Sequence, residues 1–190
     1  MSMYSKIEND AVAEIHKQEL DGADFLSSCS TGFISYFYTY FNGDKNNKLF
    51  IVRDNEQPAG FVFLTLSKKG LFKGFVKRNL CRIVFTPSAL LSLIRTMSMK
   101  TKSTIKHDYD VDIVYIAVSS KYQSKGNARK LLGMVEEYLK DNSINSYYLQ
   151  VFKDNERAVG FYKKYGFEII EEYSARERVK LLMRMNIQDE

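Results

Sequence analysis

With 190 residues, 45% of them hydrophobic, the chain is long enough for one domain with a buried core and too apolar to stay disordered. Two cysteines, Cys29 and Cys81, exclude a disulfide framework and fit a reducing compartment. The first ten residues are too polar for a signal peptide and no apolar run reaches a membrane span, so a soluble, cytoplasmic protein without a transmembrane segment is expected. The net charge of +5 is unevenly spread. Ten of the 28 Lys and Arg lie in 67–107, which has no Asp or Glu, so the other 18 face all 23 acidic residues, a balance of −5. The basicity therefore belongs to one segment, and a local positive field of this kind attracts an anion.

In chain order, residues 4–7 predict a short first strand. Residues 10–20 predict a helix capped by Asp10, with Val12, Ile15 and Leu20 on one face. Phe33, Tyr36, Phe37, Tyr40 and Phe41 recur at helical spacing before Asn42-Gly43 and read as a core-facing stripe, with a substrate-wall role for some rings as the alternative. Strands are expected at 48–54 and 59–66, joined by turn residues 55–58 into an antiparallel hairpin. In 67–107, apolar positions recur at helical spacing with Lys73, Lys77, Arg78 and Arg82 between them. Thr86-Pro87-Ser88 breaks the run, so a pair of basic amphipathic helices is expected, inserted between the third and fourth strands. The most apolar strand is 109–118, followed by a helix at 129–140, a strand at 146–152, a helix at 155–165, and an antiparallel pair at 167–173 and 179–185. This order predicts a single α/β (α+β) domain over 1–190: a central mixed, mostly antiparallel twisted sheet flanked by helices.

The strongest chemical signal joins the strand Asp112-Ile-Val-Tyr-Ile-Ala-Val118 to the loop Gln123-x-x-Gly126-x-Ala128, which opens a helix. The first amides of a helix have no intrahelical acceptor, and the helix dipole adds positive charge there. Such an end binds phosphate, and a glycine lets the backbone approach it. Lys125 and Arg129 add side-chain charge. An ordinary strand-to-helix turn is the alternative. Neither a Gly-x-Gly-x-x-Gly run nor a Gly-Lys-Ser/Thr phosphate loop occurs. A second segment follows in register, Asn155-x-x-Ala158-x-x-Phe161-Tyr162-x-x-x-Gly166-Phe167.

Together the two segments resemble motifs A and B of the GNAT superfamily of acyl-CoA-dependent N-acyltransferases. The resemblance is close over 111–185 and one of element order over 4–66. It implies acetyl-CoA as cosubstrate and a primary amine as acceptor, acylated by direct attack in a ternary complex. It implies that the backbone of Gln123, Ser124, Lys125, Gly126, Asn127 and Ala128, with Arg129 beside them, holds the pyrophosphate. Ile116, Ala117 and Val118 would pair like a strand with the pantetheine arm. Asn155 would hydrogen-bond that arm, and Tyr162 would donate a proton or hydrogen bond to the leaving thiolate; for Tyr162 plain aromatic packing is the alternative.

An alkyl ammonium, pKa near ~10, must lose a proton before it attacks, and a carboxylate can take it directly or through water. The oxyanion needs a backbone N–H, which the strand near Val118 would supply. Asp112 is the candidate base, because it sits where histone-acetylating members of the superfamily carry a glutamate; a solvated carboxylate at a strand start is the alternative. His107 and Tyr109 are rival bases, and Glu14, His16, Glu19 and Asp21 are candidates to line the acceptor pocket. No metal is expected: His16, His107, Cys29 and Cys81 are too scattered for a zinc site, and no Gly-x-Ser-x-Gly elbow occurs.

For 67–107 the competing readings are plain helical cover, a lid for an anionic acceptor, a peripheral membrane contact and a nucleic-acid contact. The lid is favoured. The layout resembles GNAT members associated with surface-polysaccharide synthesis, which implies a phosphorylated amino sugar as acceptor, ahead of a protein Lys or N-terminus. Nucleic acid is not expected, since the aromatics lie on the apolar side rather than among the charges. A non-catalytic acyl-CoA-binding domain is the rival outside enzymes, and the oligomeric state stays open between monomer and homodimer.

Overall fold

The computed structural model describes residues 5–20, 25–68, 70–97, 110–175 and 177–187. The described residues begin with a helix where a strand was expected. Ser5 and Glu8 form a capping box: the Ser5 N–H donates to the Glu8 carboxylate at 2.9 Å and the Glu8 N–H to Ser5 Oγ at 3.2 Å. Helix α1 therefore runs Lys6–Glu19, and Asp10 lies inside it, accepting from Ser35 Oγ at 2.5 Å instead of capping. Helix α2, Thr31–Phe41, buries Phe33, Phe37 and Phe41, so the aromatic stripe is core. Strands β1 (Asn47–Asp54) and β2 (Gln57–Thr65) form the expected hairpin.

The basic segment then gives three helices in place of two: α3 (Leu71–Arg78), α4 (Leu80–Val84) and α5 (Pro87–Met97). Asn79 makes the extra break; its side chain caps backward, donating to the Phe75 carbonyl at 2.8 Å. Residues 98–107 of the expected insertion lie outside the described residues. Because the first predicted strand is helical, the insertion follows the second strand, not the third. The chain continues through β3 (Asp112–Val118), α6 (Asn127–Asp141), β4 (Ser146–Phe152), α7 (Glu156–Tyr165), β5 (Glu168–Ala175) and β6 (Arg178–Asn186).

The six strands form one sheet in the order β1-β2-β3-β4-β6-β5. Every pairing is antiparallel except β3 with β4. One core, built on Phe37, Tyr38, Phe61, Phe63 and Phe75, joins α1, α2 and the inserted helices to one face. The other, built on Leu131, Leu132, Val135, Tyr147, Leu149 and Phe167, joins α6 and α7 to the opposite face. The architecture is the mixed α/β, mostly antiparallel sheet that the element order predicts.

Candidate active site

The parallel β3–β4 pair is short. Only Asp112 with Tyr148 and Ile113 with Leu149 are in register, after which the strands part. Beyond that point β3 keeps β2 on one side and β4 keeps β6 on one side. Their facing edges, from Val114 to Val118 and from Gln150 to Phe152, are left without each other. Unpaired strand edges are obligate hydrogen-bonding surfaces, so this V-shaped opening suits an extended amide-bearing ligand. Val114 is an extra residue in β3, since Phe63 faces Tyr115 while Leu64 faces Ile113. At the open end Gly60 faces Val118, and a Cβ on Gly60 would stand 2.8 Å from the Ala117 carbonyl oxygen. Glycine there lets β2 close tightly on the end of β3.

The loop after β3 ends in left-handed backbone at Ser124 (φ 63°) and Gly126 (φ 78°). The first backbone bond of α6 is Lys130 N–H to the Gly126 carbonyl at 3.0 Å. The amides just ahead of it point out of the helix start without an intrahelical acceptor. Asn127 fixes the loop from inside: it is buried and its Nδ2 donates to the Tyr122 carbonyl at 2.9 Å. Lys125 pairs with Asp54 at 3.0 Å, and the Arg129 guanidinium lies 5.1 Å from the Tyr165 ring centre. Ala128 is half-buried and Arg129 exposed on the first turn. A glycine-opened helix start with outward amides and two nearby cations is chemically fit for a pyrophosphate.

The Gln123 side chain crosses the mouth of the opening. Its Nε2 donates to the Val118 carbonyl (3.0 Å) and to Glu19 (3.2 Å), and its Oε1 accepts from Arg157 at 2.7 Å. Glu19 also accepts from the Ser120 N–H at 2.7 Å. Glu19 thus braces the loop. Arg157 was not singled out from sequence, although it sits inside the second motif, two residues after Asn155. Asn155 caps α7, its Oδ1 accepting from the Ala158 N–H at 3.2 Å, which leaves Nδ2 to donate elsewhere.

Tyr162 lies on α7, buried, with Phe161 and Phe167 edge-on at 5.4 and 5.5 Å. Burial pushes its phenol well above the usual range. The group therefore stays protonated and keeps its hydroxyl hydrogen available for donation. Asp112 is also buried, 4% exposed. Lys68 pairs with its Oδ2 at 2.9 Å, and Oδ1 is enclosed with no hydrogen-bond partner among the described residues. Burial raises the carboxyl to about 6, against the opposing pull of Lys68 and then Lys180. Lys68 was not foreseen; the only sequence hint was the basic run starting just after β2.

Asp112 alternates with Ile113, which belongs to the α6–α7 core, so the carboxylate points to the other face. Tyr162 belongs to the α6–α7 side. The two groups thus lie on opposite faces of the sheet, Asp112 in the paired stretch just before the strands part. Among the other sequence candidates, His16 is wholly buried, bonded to Tyr38 Oη at 2.6 Å and Ser27 Oγ at 3.1 Å, and Glu14 is exposed. Asp21, His107 and Tyr109 lie outside the described residues.

The sequence profile of the Acetyltransferase (GNAT) family matches residues 13–167. A comparison with curated protein sequences gives no match. Among solved structures, the ribosomal-protein-S18-alanine N-acetyltransferase of Escherichia coli is similar at TM-score 0.62 and 14% identity, covering 100% of this chain and 94% of that one. The spermidine N-acetyltransferase of Vibrio cholerae is similar at TM-score 0.61 and 15% identity, covering 96% and 90%. A putative streptothricin acetyltransferase of Bacillus anthracis, solved with acetyl coenzyme A, is similar at TM-score 0.55 and 16% identity, covering 80% and 68%. These likenesses establish a shared fold, and the profile match, which spans most of the sequence, places the chain in the GNAT family of acetyltransferases.

Proposed function

We propose that the protein transfers the acetyl group of acetyl-CoA to the primary amine of a small molecule, an amino sugar being the favoured class. The observation that carries this reading is the opening between β3 and β4, with the Gly126 helix start at its mouth. The outward amides around Gly126 hold the pyrophosphate. The edge at Ile116, Ala117 and Val118, helped by Asn155 Nδ2, takes the pantetheine amides. An amine entering from the Asp112 face gives up its proton on that side, while the thiolate departs toward Tyr162 on the other.

Asp112 is a suitable acceptor of that proton, because a base works best when its pKa lies near the working pH. The Tyr162 hydroxyl, kept protonated by burial, stabilises the developing thiolate by a hydrogen bond. In the neighbouring structures the acceptors named are an alanine of a ribosomal protein in one case and spermidine in another, so this fold accommodates both kinds of amine.

The test is release of free CoA thiol across a panel of amines that includes nucleotide-linked amino sugars, polyamines and peptides. Turnover with an amino sugar supports the reading, and turnover with peptides alone moves the acceptor to proteins. A second reading rests on the Lys68–Asp112 pair, which closes the carboxylate off and fits a non-catalytic acyl-CoA-binding domain. Tight calorimetric binding of acetyl-CoA with no thiol release from any amine would select it.

A further inference from the structure

The inserted helices have two sides with opposite needs. On the inner side Phe75, Ile83 and Ala89 are buried in the core beside Phe33 and Phe37. Polar contacts fix the same side: Ser92 Oγ donates to the Phe25 carbonyl at 2.6 Å, the Ser30 N–H donates to Ser88 Oγ at 3.1 Å, and Tyr36 Oη donates to Asn79 at 2.5 Å. The insertion is therefore anchored without its outer side. That outer side is apolar nonetheless. Leu80 is 53% exposed, Val84 49%, Phe85 86% and Leu91 69%. Leu80 and Val84 are one turn apart on α4, Phe85 directly follows, and Leu91 lies on α5 across the bend at Thr86.

Cations precede and accompany these side chains on α3 and α4. Lys73, Lys77, Arg78 and Arg82 are all exposed, and the Arg82 guanidinium is held 3.8 Å over the Tyr36 ring. No acidic residue occurs anywhere in 67–107. Apolar side chains set among cations, with acids excluded, are the composition of a helix that lies in the boundary layer of a negatively charged bilayer. A second copy is the poorer occupant: a two-fold contact would bring this patch against itself and oppose its cations. Nucleic acid would neutralise the cations but give Phe85 and Leu91 no apolar surroundings.

We propose that the outer face of α4 and α5 is a docking surface for an anionic lipid membrane, with Phe85 and Leu91 entering the headgroup boundary and Lys77 and Arg78 meeting lipid phosphates. The contact is peripheral, since none of the described helices is long and apolar enough to cross a membrane. It stands apart from acetyl transfer, because its readout is lipid binding. It has a consequence for the site even so. The insertion begins just after Lys68, the partner of Asp112, so docking holds the amine side of the opening near the lipid surface.

Flotation of the full chain with phosphatidylcholine vesicles, with and without phosphatidylglycerol, tests this. Binding is expected with the anionic vesicles only, weakening as salt is raised; each cation at such a surface strengthens binding about fivefold. Phe85→Ser combined with Leu91→Ser should weaken it at least about tenfold. Lys77→Gln combined with Arg78→Gln should do likewise and flatten the salt dependence. Unchanged melting and acetyl-CoA titration would show that the variants are folded. The proposal is overturned if wild type stays unbound with anionic vesicles, or if the Phe85/Leu91 variant binds as wild type does. It is equally overturned if wild type sediments as a dimer that this variant dissolves, or if polyglutamate is bound as tightly as the vesicles, which would mark an acidic protein partner.

Discussion

At the scale of single residues, Asp112 and Tyr162 show how one physical cause, burial, serves two opposite ends. Removing water raises both groups, which in the proposed mechanism suits a strand carboxylate to the role of base and keeps a phenol in its donor form. The rate should therefore rise through a limb with an apparent pKa of about 6, and Asp112→Asn should abolish that limb and most of the turnover. A pH–rate profile of kcat/KM at saturating acetyl-CoA checks both. The same shift has a stability signature. Between the ordinary carboxylate value near ~4 and the folded value of about 6, the native state holds a proton that the unfolded chain has lost. Stability from this group is thus highest at low pH and falls as pH rises across that window, then levels. Melting curves of wild type measured against Asp112→Asn should show the wild type losing ground from pH 4 to pH 6 and holding constant above. A different outcome is expected at Tyr162, where Phe preserves the packing with Phe161 and Phe167 and removes only the hydroxyl. Turnover should drop about a hundredfold with acetyl-CoA affinity within about threefold, read by steady-state kinetics and calorimetry. An unchanged rate would leave Tyr162 as a core aromatic and nothing more.

At the scale of elements, the two glycines at the end of β3 are placed for different reasons, and substitution separates them. Gly60 has no room: an alanine methyl would press on the Ala117 carbonyl from 2.8 Å, backbone against backbone. Gly126 has room but a left-handed φ of 78°, which costs an alanine about 1–2 kcal/mol. Gly60→Ala should therefore lower the melting temperature more than Gly126→Ala does, whereas Gly126→Ala should weaken acetyl-CoA binding at a small cost in stability; thermal melts and calorimetry decide. Sequence reading saw Gly126, because a glycine that opens a helix after an apolar strand is a local pattern. Its neighbours Gln123 and Asn155 were legible for the same reason. The brace Glu19–Gln123–Arg157 was not, since it joins α1, the loop and α7, elements far apart in the chain. Lys68 opposite Asp112 escaped notice likewise, because only the pairing of β2 with β3 brings them together. The opening residues failed for the reverse reason: a short strand was expected at 4–7, but the Ser5–Glu8 capping box is a stronger local instruction and turns the backbone into a helix.

At the scale of the whole molecule, the sheet has one weak seam, and the proposed ligand site is that seam. Strands β1 to β3 carry the core built on α1, α2 and the insertion, and β4 to β6 are covered by α7 on the other face. Between the two sets of strands only two residue pairs are in register, while α6 packs against β1, β2 and β3 across the second core. The order of elements along the sequence implied a mixed sheet but not this parting, because strand ends that fail to pair leave no mark in hydrophobic periodicity. A ligand whose amides pair with both free edges supplies the hydrogen bonds that the strands do not give each other. It should therefore stabilise the fold by linkage, about 2.7 kcal/mol at a concentration one hundred times Kd, and do so locally. Hydrogen–deuterium exchange with and without acetyl-CoA should show new protection at Ile116 to Val118 and in the amides from Ser124 to Arg129, with the β1–β2 hairpin unchanged. Uniform protection over the whole sheet would mean that stability rises without the opening being filled. Protection confined to the helix start would mean that the phosphates bind while the strand edge stays solvated. In that last case the pantetheine arm takes another path, and Ile116, Ala117 and Val118 lose their assigned role.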